Sequence, residues 1–221
     1  MSTTITRHPD DANLMSFAAG ALAEPLAAAL ASHVAMCPRC RNEMRLLRSL
    51  GGVLLSDVTP IGLGGHEPVV PARQPSPSHE RRPAAVGPGA VGTIGLPKPI
   101  AEKYKLDLES VPWRWLGPGI RYHALLLSPG VVGDLRLLKI AAGRKMPEHG
   151  HGGTEMTLVL SGAFRDVSGK FGPGDIQDVD DDVEHRPVVD AELGCICLVA
   201  SEQQARFKGL FSRLLQPWTG M

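Results

Sequence analysis

Residues 143–162 read GRKMPEHGHGGTEMTLVLSG, which places two histidines and an acidic residue just before a strand-like apolar run. On an extended strand, residues two apart point to the same side, so His149 and His151 are expected to share one face. Glu155 lies across the bend that follows and can return to that side. Two imidazoles and a carboxylate form a divalent-metal site with positions left open. This stretch therefore predicts a metal site carried by β structure.

A fourth ligand is expected from another strand, and His185 is the histidine that follows the tight turn FGPGD. The spacing G-x5-H-x-H-x3-E-x6-G resembles the first motif of the cupin fold, a small β-barrel, over the whole opening stretch. The second motif, G-x5-P-x-G-x2-H-x3-N, keeps its spacing from Gly174 to His185, but Asp180, Asp182 and Val189 replace its Pro, Gly and Asn. The resemblance implies a site of three histidines and one glutamate, and a cupin that has lost its metal is the alternative.

Strand-like runs surround this stretch from about Ile100 onward. They are short, apolar and divided by Gly, Pro and Asp turns, which predicts an all-β sandwich or barrel. The runs are RYHALLLS (121–128), DLRLLKIAA (134–142), EMTLVLSG (155–162) and CICLVAS (195–201).

The N-terminal part differs in composition, being rich in Ala, Leu and Met without β-branched runs. We predict one helix capped by Asp10 or Asp11 and ending at Gly20, a second with Pro25 in its first turn, and a third starting at Pro38 and running to Gly51. Between the two parts, residues 57–99 contain nine of the nineteen prolines and no aromatic residue, which is typical of a linker. The expected organisation is a helical domain at 1–56, a linker at 57–99 and a β domain at 100–221.

A second group of metal-ligand residues lies in the helical part, where residues 32–41 read SHVAMCPRCR. His33 and Cys37 are four residues apart and share a helix face, and Cys40 follows in the first turn of the next helix. Zinc prefers such thiolate and imidazole ligands in tetrahedral sites. His8 is expected as the fourth ligand, with Asp10 and Asp11 as weaker candidates. A redox Cys-x-x-Cys pair and a chance pairing of two buried cysteines are the alternatives.

The helical part resembles the zinc-binding anti-sigma domain, whose signature is an upstream His followed by H-x3-C-x2-C. His8, His33, Cys37 and Cys40 match it. The resemblance implies a helical domain that clamps an alternative sigma factor of the extracytoplasmic-function type and keeps it from RNA polymerase.

The pairing of such a domain with a cupin resembles the ChrR family of anti-sigma factors over nearly the whole chain. It implies inhibition of a sigma factor until oxidative stress, typically singlet oxygen, causes release, with the cupin needed for the response. It also implies zinc in both domains, although the cupin ligands accept other divalent metals, and an oxidant or small molecule could be the cupin's ligand. We expect no catalytic residue, and we expect an apolar face with Leu14, Phe17 and Leu22 to dock the sigma factor.

Composition bears on the rival functions. The formal net charge is zero, which argues against a general electrostatic grip on nucleic acid and hence against a zinc-finger DNA-binding regulator. The sequence contains neither an apolar run of membrane-spanning length nor a secretory signal pattern at its start, so a cytoplasmic location is expected. The main rival is a cupin metal-dependent dioxygenase with an accessory helical domain.

Overall fold

The computed structural model of the chain describes residues 4–61, 95–146, 149–150, 152–180, 186–203 and 206–207. Within them lie four helices, namely α1 (Asp11–Ala18), α2 (Glu24–Met36), α3 (Pro38–Ser56) and α4 (Lys98–Tyr104). The three helices predicted for the N-terminal part are confirmed. The short helix α4 was not predicted, and it begins just inside the segment assigned to the linker. None of the described helices combines the length and apolar character that crossing a membrane requires.

The helix ends follow from local chemistry. The Asp10 carboxylate caps α1 by accepting a hydrogen bond from the Ala12 amide at 2.7 Å. Prolines in the first turns of α2 and α3 stand where no amide hydrogen is needed. Helix α3 continues through Gly51 and Gly52 to Ser56, past the end that the sequence predicts. Glycine lowers helix stability by about 1 kcal/mol relative to alanine but does not by itself end a helix.

The described strands are β1 (Arg114–Gly117), β2 (Ile120–Ala124), β3 (Asp134–Ile140), β4 (His149–Gly150), β5 (Glu155–Gly162), β6 (Phe164–Asp166), β7 (Gly169–Phe171), β8 (Ile176–Val179), β9 (Val188–Val189), β10 (Cys195–Ser201) and β11 (Arg206–Phe207). They form a six-stranded antiparallel sheet in the order β1-β2-β3-β10-β5-β8, a three-stranded sheet in the order β7-β6-β9, and the pair β4-β11. The all-β prediction is confirmed, although the described strands form separate sheets and do not close into one barrel.

Side chains alternate between the two faces of the large sheet. Leu138, Val159 and Cys197 lie on the inner face and pack with Phe164 and Phe171 of the small sheet in one hydrophobic core. The two sheets therefore face each other as a sandwich around this core.

The opposite face of the large sheet is covered by the helices. Leu26 and Leu30 of α2 are fully buried and share a second core with Leu158 of β5 and Leu198 of β10. The helical part and the β part thus pack together on one continuous apolar interface, which the sequence-based description of two parts joined by a linker did not anticipate.

This packing bears on one expectation about the sigma factor. Leu14 is only 3% exposed and belongs to the core shared with the sheet, and Phe17 and Leu22 pack against that core. In this structure Leu14 is therefore covered by the chain's own core, and Phe17 and Leu22 are partly covered by it. Helical spacing identifies an apolar face but does not say which surface covers it.

Candidate metal centre

The turn between α2 and α3 assembles most of the N-terminal site. Cys37 lies between the last residue of α2 and the first residue of α3, and its backbone is extended. Its amide donates a hydrogen bond to the His33 carbonyl at 2.7 Å. His33 lies one turn before the end of α2, and Cys40 lies in the first turn of α3. His8 lies in the segment before α1, residues 4–10, which we call the N-terminal arm. The turn at Cys37 therefore brings the side chains of His33, Cys37 and Cys40 close together.

The four side chains lie at distances that suit one metal ion. Nδ1 of His8 lies 3.5 Å from Sγ of Cys37 and 3.4 Å from Sγ of Cys40, and Nε2 of His33 lies 3.3 Å from Sγ of Cys40. All four potential ligand atoms lie within 4.8 Å of one another. A tetrahedral zinc ion with ordinary bond lengths requires sulfur-to-nitrogen distances of about 3.6 Å between its ligands. The residues present therefore fit zinc. Asp10 is engaged in capping α1, and neither it nor Asp11 belongs to this group.

Burial shifts the pKa of three of these side chains. The His33 side chain is fully buried, which lowers its pKa to about 4 despite the opposing hydrogen bond with the Gly174 carbonyl. Burial also lowers the pKa of His8, with a further contribution from the Arg39 charge. Burial, reinforced by the neighbouring Cys37, raises the pKa of the Cys40 thiol to about 12. Both imidazoles are therefore neutral and available as ligands near neutral pH.

The same burial bears on the redox alternative. Cys37 and Cys40 are 1% and 2% exposed, and they are not joined by a disulfide bond. Reactive cysteines are accessible and have a lowered pKa, whereas the pKa of Cys40 is raised. A metal site suits this environment better than a thiol–disulfide exchange pair.

Two contacts from the β part complete the surroundings of the site. Nδ1 of His33 lies 2.9 Å from the carbonyl oxygen of Gly174, in the turn between β7 and β8. Oδ1 of Asp175 accepts hydrogen bonds from the amides of Thr6 and Arg7, at 2.7 and 2.9 Å, immediately before His8 in the chain. Sequence reasoning identified a tight turn here but missed these contacts, because no local pattern relates residues so far apart in the chain.

The second predicted site is described only in part. Glu155 is the first residue of β5, is 6% exposed, and lies opposite Ser201 of β10 and Val179 of β8. It alternates along β5 with the residues that face the helices, so it belongs to the inner face of the sheet. The backbone of His149 lies in β4, paired with β11. The side chain of His149, and His151 and His185 entirely, lie outside the described residues, so this ligand set stays a prediction.

Comparisons with known proteins place both parts of the chain. Residues 101–205 match the family model of the ChrR cupin-like domain, and residues 11–41 match a zinc-finger family model. The anti-sigma-E factor ChrR of Cereibacter sphaeroides is 38% identical over 97% of this chain and 98% of its own length. A crystal structure of Rhodobacter sphaeroides SigE in complex with the anti-sigma ChrR matches with a TM-score of 0.73 and 37% identity, over 90% of this chain and 100% of the matched chain.

Proposed function

The chain belongs to the ChrR family of anti-sigma factors, and from this membership we propose that it binds a sigma factor of the extracytoplasmic-function type and inhibits transcription from it. The full-length alignment with an anti-sigma factor includes the helical part, for which a cupin dioxygenase would have no evident use. The chain is accordingly a regulator and not an enzyme, and we assign no catalytic residue.

The surface of α3 provides the observation that carries this proposal. Leu46, Leu50 and Val53 recur at helical spacing and are 72%, 56% and 61% exposed. They lie on the opposite side from Met44, which packs into the core. A row of exposed leucine and valine side chains on one helix marks a protein-binding surface. We assign this row, in place of Leu14, Phe17 and Leu22, as a contact surface for the sigma factor.

Zinc at the N-terminal site has a structural role in this proposal. His8, His33, Cys37 and Cys40 connect the N-terminal arm, the end of α2 and the start of α3. A bound zinc ion supplies Lewis-acid attraction for the thiolates and fixes these three segments relative to one another. The orientation of α3, and with it the exposed row, then depends on an occupied site.

The β part is proposed to sense the signal. Its predicted ligands are His149, His151, Glu155 and His185, with zinc or another divalent metal, and its predicted stimulus is singlet oxygen or a related oxidant. The buried position of Glu155 on the inner face of the sheet supports this assignment. We keep the domain bounds of 1–56, 57–99 and 100–221 as part of the proposal.

The proposal is tested by in vitro transcription with RNA polymerase and an extracytoplasmic-function sigma factor from the same organism. Added protein should abolish transcripts that require that sigma factor and leave transcripts of the housekeeping sigma factor unchanged. Leu50→Asp should weaken inhibition at least tenfold, because a carboxylate replaces a leucine in the apolar contact. Leu126→Asp is the matched control, since Leu126 is 83% exposed in the β part. Equal inhibition by both variants would remove α3 from the interface, and no inhibition by the unaltered protein would contradict the function.

A further inference from the structure

The turn at residues 172–175, between β7 and β8, contacts the proposed zinc ligand His33 and the two residues that precede His8. We call it the 172–175 turn. Its Gly174 carbonyl lies 2.9 Å from Nδ1 of His33, and its Asp175 carboxylate holds the amides of Thr6 and Arg7. The arm is held a second time where the Ile176 amide donates to the Arg7 carbonyl at 3.3 Å.

We propose that the 172–175 turn is the outer support of the N-terminal zinc site, so that zinc binding and the docking of the helices on the β part form one coupled equilibrium. The proposal rests on the zinc site of the proposed function and adds to it that the β part helps to hold the metal.

The hydrogen bond of His33 gives the first half of the coupling. Nε2 of His33 faces Cys40 and is the nitrogen placed to bind metal, which leaves the ring hydrogen on Nδ1. That hydrogen is donated to the Gly174 carbonyl, which orients the ring and increases the basicity of Nε2. Binding of zinc through Nε2 of His33 therefore requires the tautomer with hydrogen on Nδ1, and this tautomer favours the hydrogen bond to the 172–175 turn.

The Asp175 carboxylate gives the second half. It is 5% exposed and accepts three backbone hydrogen bonds, two from the arm and one from the Gly172 amide at 2.8 Å. The carboxylate thus fixes its own turn and the arm in one step. Since His8 follows Arg7 directly, the position of this ligand depends on Asp175.

The close approach of the arm to the turn also explains why residue 174 is a glycine. Gly174 has a φ of +89°, and a Cβ added there would lie 2.6 Å from the Ile5 side chain. Only glycine adopts this conformation readily and leaves room for the arm. The turn then leads directly into β8, which pairs with β5 so that Val179 lies opposite Glu155. One short strand thus connects the support of the first site to the strand that carries a proposed ligand of the second.

Coupling of this kind is reciprocal. If docking strengthens zinc binding by a given factor, zinc strengthens docking by the same factor. A change in the β part that displaces the 172–175 turn is expected to weaken zinc binding, and loss of zinc is expected to loosen the helices from the sheet.

Cobalt titration of the full chain tests the coupling. The absorption band of thiolate bound to cobalt reports the N-terminal site alone, because the ligands predicted for the second site include no cysteine. Asp175→Ala should weaken cobalt binding roughly 10- to 100-fold, the range measured when outer contacts of metal ligands are removed. Asp175→Asn keeps one oxygen acceptor for the arm and should lose less. Asp190→Ala, which removes a carboxylate that caps a turn of the β part, should bind as the unaltered chain does.

Hydrogen exchange tests the reverse effect, that of zinc on the docking of the helices. Removal of zinc by a chelator should increase hydrogen exchange at the amides of Thr6, Arg7 and Ile176, which lie between the arm and the turn. Unchanged cobalt affinity in both folded Asp175 variants would overturn the coupling while leaving the zinc site intact, and so would unchanged exchange at these amides. Absence of the thiolate band in the unaltered chain would overturn the zinc site and the coupling together.

Discussion

Nδ1 of His33 lies 2.9 Å from the carbonyl oxygen of Gly174, although 141 residues separate the two along the chain. This contact joins a helix that carries a proposed zinc ligand to the turn between β7 and β8 of the β part. It accompanies a large apolar interface, in which Leu26 and Leu30 of α2 are completely buried against the sheet. The two parts of the chain therefore act on each other directly, without relying on the segment between them.

Replacement of Cys37 by serine is expected to remove the metal from the N-terminal site. A hydroxyl is a poor zinc ligand beside a thiolate, so the variant should lose one zinc ion per chain and bind the sigma factor at least tenfold more weakly. Zinc content by mass spectrometry and a sigma-factor binding assay measure the two effects. Cys195→Ser is the control, because this cysteine is buried in the core between the two sheets and is not part of the cluster. Full zinc content in Cys37→Ser would contradict the assignment.

Replacement of Glu155 by glutamine is expected to separate release from binding. The neutral amide is a weaker ligand for a divalent cation, so the β part should lose its metal while α3 and the N-terminal site are unchanged. The variant should inhibit its sigma factor normally and lose most of the release that photosensitised singlet oxygen causes. Glu192→Gln, in an exposed turn of the β part, provides the comparison. Normal release by Glu155→Gln would remove the proposed second site from the response.

The ion pair of Glu24 predicts a dependence of stability on pH. Lys103 lies 2.6 Å away and, with the Ser128 amide, lowers the pKa of this carboxyl group. A carboxyl group whose pKa is lowered on folding contributes stability above its ordinary pKa, and that contribution is lost as pH falls through the lowered value. Glu24→Gln should therefore reduce the free energy of unfolding at pH 7 and reduce it less at pH 3.

Urea unfolding at the two pH values measures this difference. Glu102→Gln is a matched control on α4, because its pair with Lys98 is exposed on both sides and is expected to contribute little. The interpretation fails if Glu24→Gln has the same effect at both pH values.

Gly162 is expected to tolerate no side chain. It ends β5 with a φ of +72°, and a Cβ there would lie 1.8 Å from the carbonyl oxygen of Gly194. Gly162→Ala should lower the free energy of unfolding by about 2 kcal/mol or more, since backbone strain and the clash act together. Gly51→Ala in exposed α3 meets nothing within 4 Å and should raise it by about 0.5–1 kcal/mol. Thermal unfolding of the two variants compares them, and equal shifts would contradict the explanation.

The sequence predicted a helix, strand or ligand group well where the pattern that identifies it lies within one short segment. The apolar runs at 155–162 and 195–201 coincide with β5 and β10, because glycine or a turn bounds each run. The ligand spacing of His33, Cys37 and Cys40 is set within one helix–turn–helix segment and could be recognised in the same way. His8 was found by residue type alone.

Contacts between distant segments could not be predicted. Helix α4 was missed because its seven residues are too few to show a period, and Ile100 is buried in a core that α4 shares with α2 and the sheet. The turn at Asp175 showed its shape but not its partner, since the arm that it holds is at the other end of the sequence. The burial of Leu14 likewise depends on a core shared by several elements, which the pattern of one helix does not reveal.

The separation of 169 residues between Thr6 and Asp175 has a consequence for the order in which the protein is made. On the ribosome, all four proposed N-terminal ligands and the exposed row of α3 leave the exit tunnel long before the 172–175 turn is translated. The nascent chain therefore first presents its helices with a proposed metal site that lacks the contacts from Gly174 and Asp175. When the β part is complete, Gly174 and Asp175 add their contacts to this site. The surroundings of the proposed zinc ligands therefore differ between the nascent chain and the finished protein.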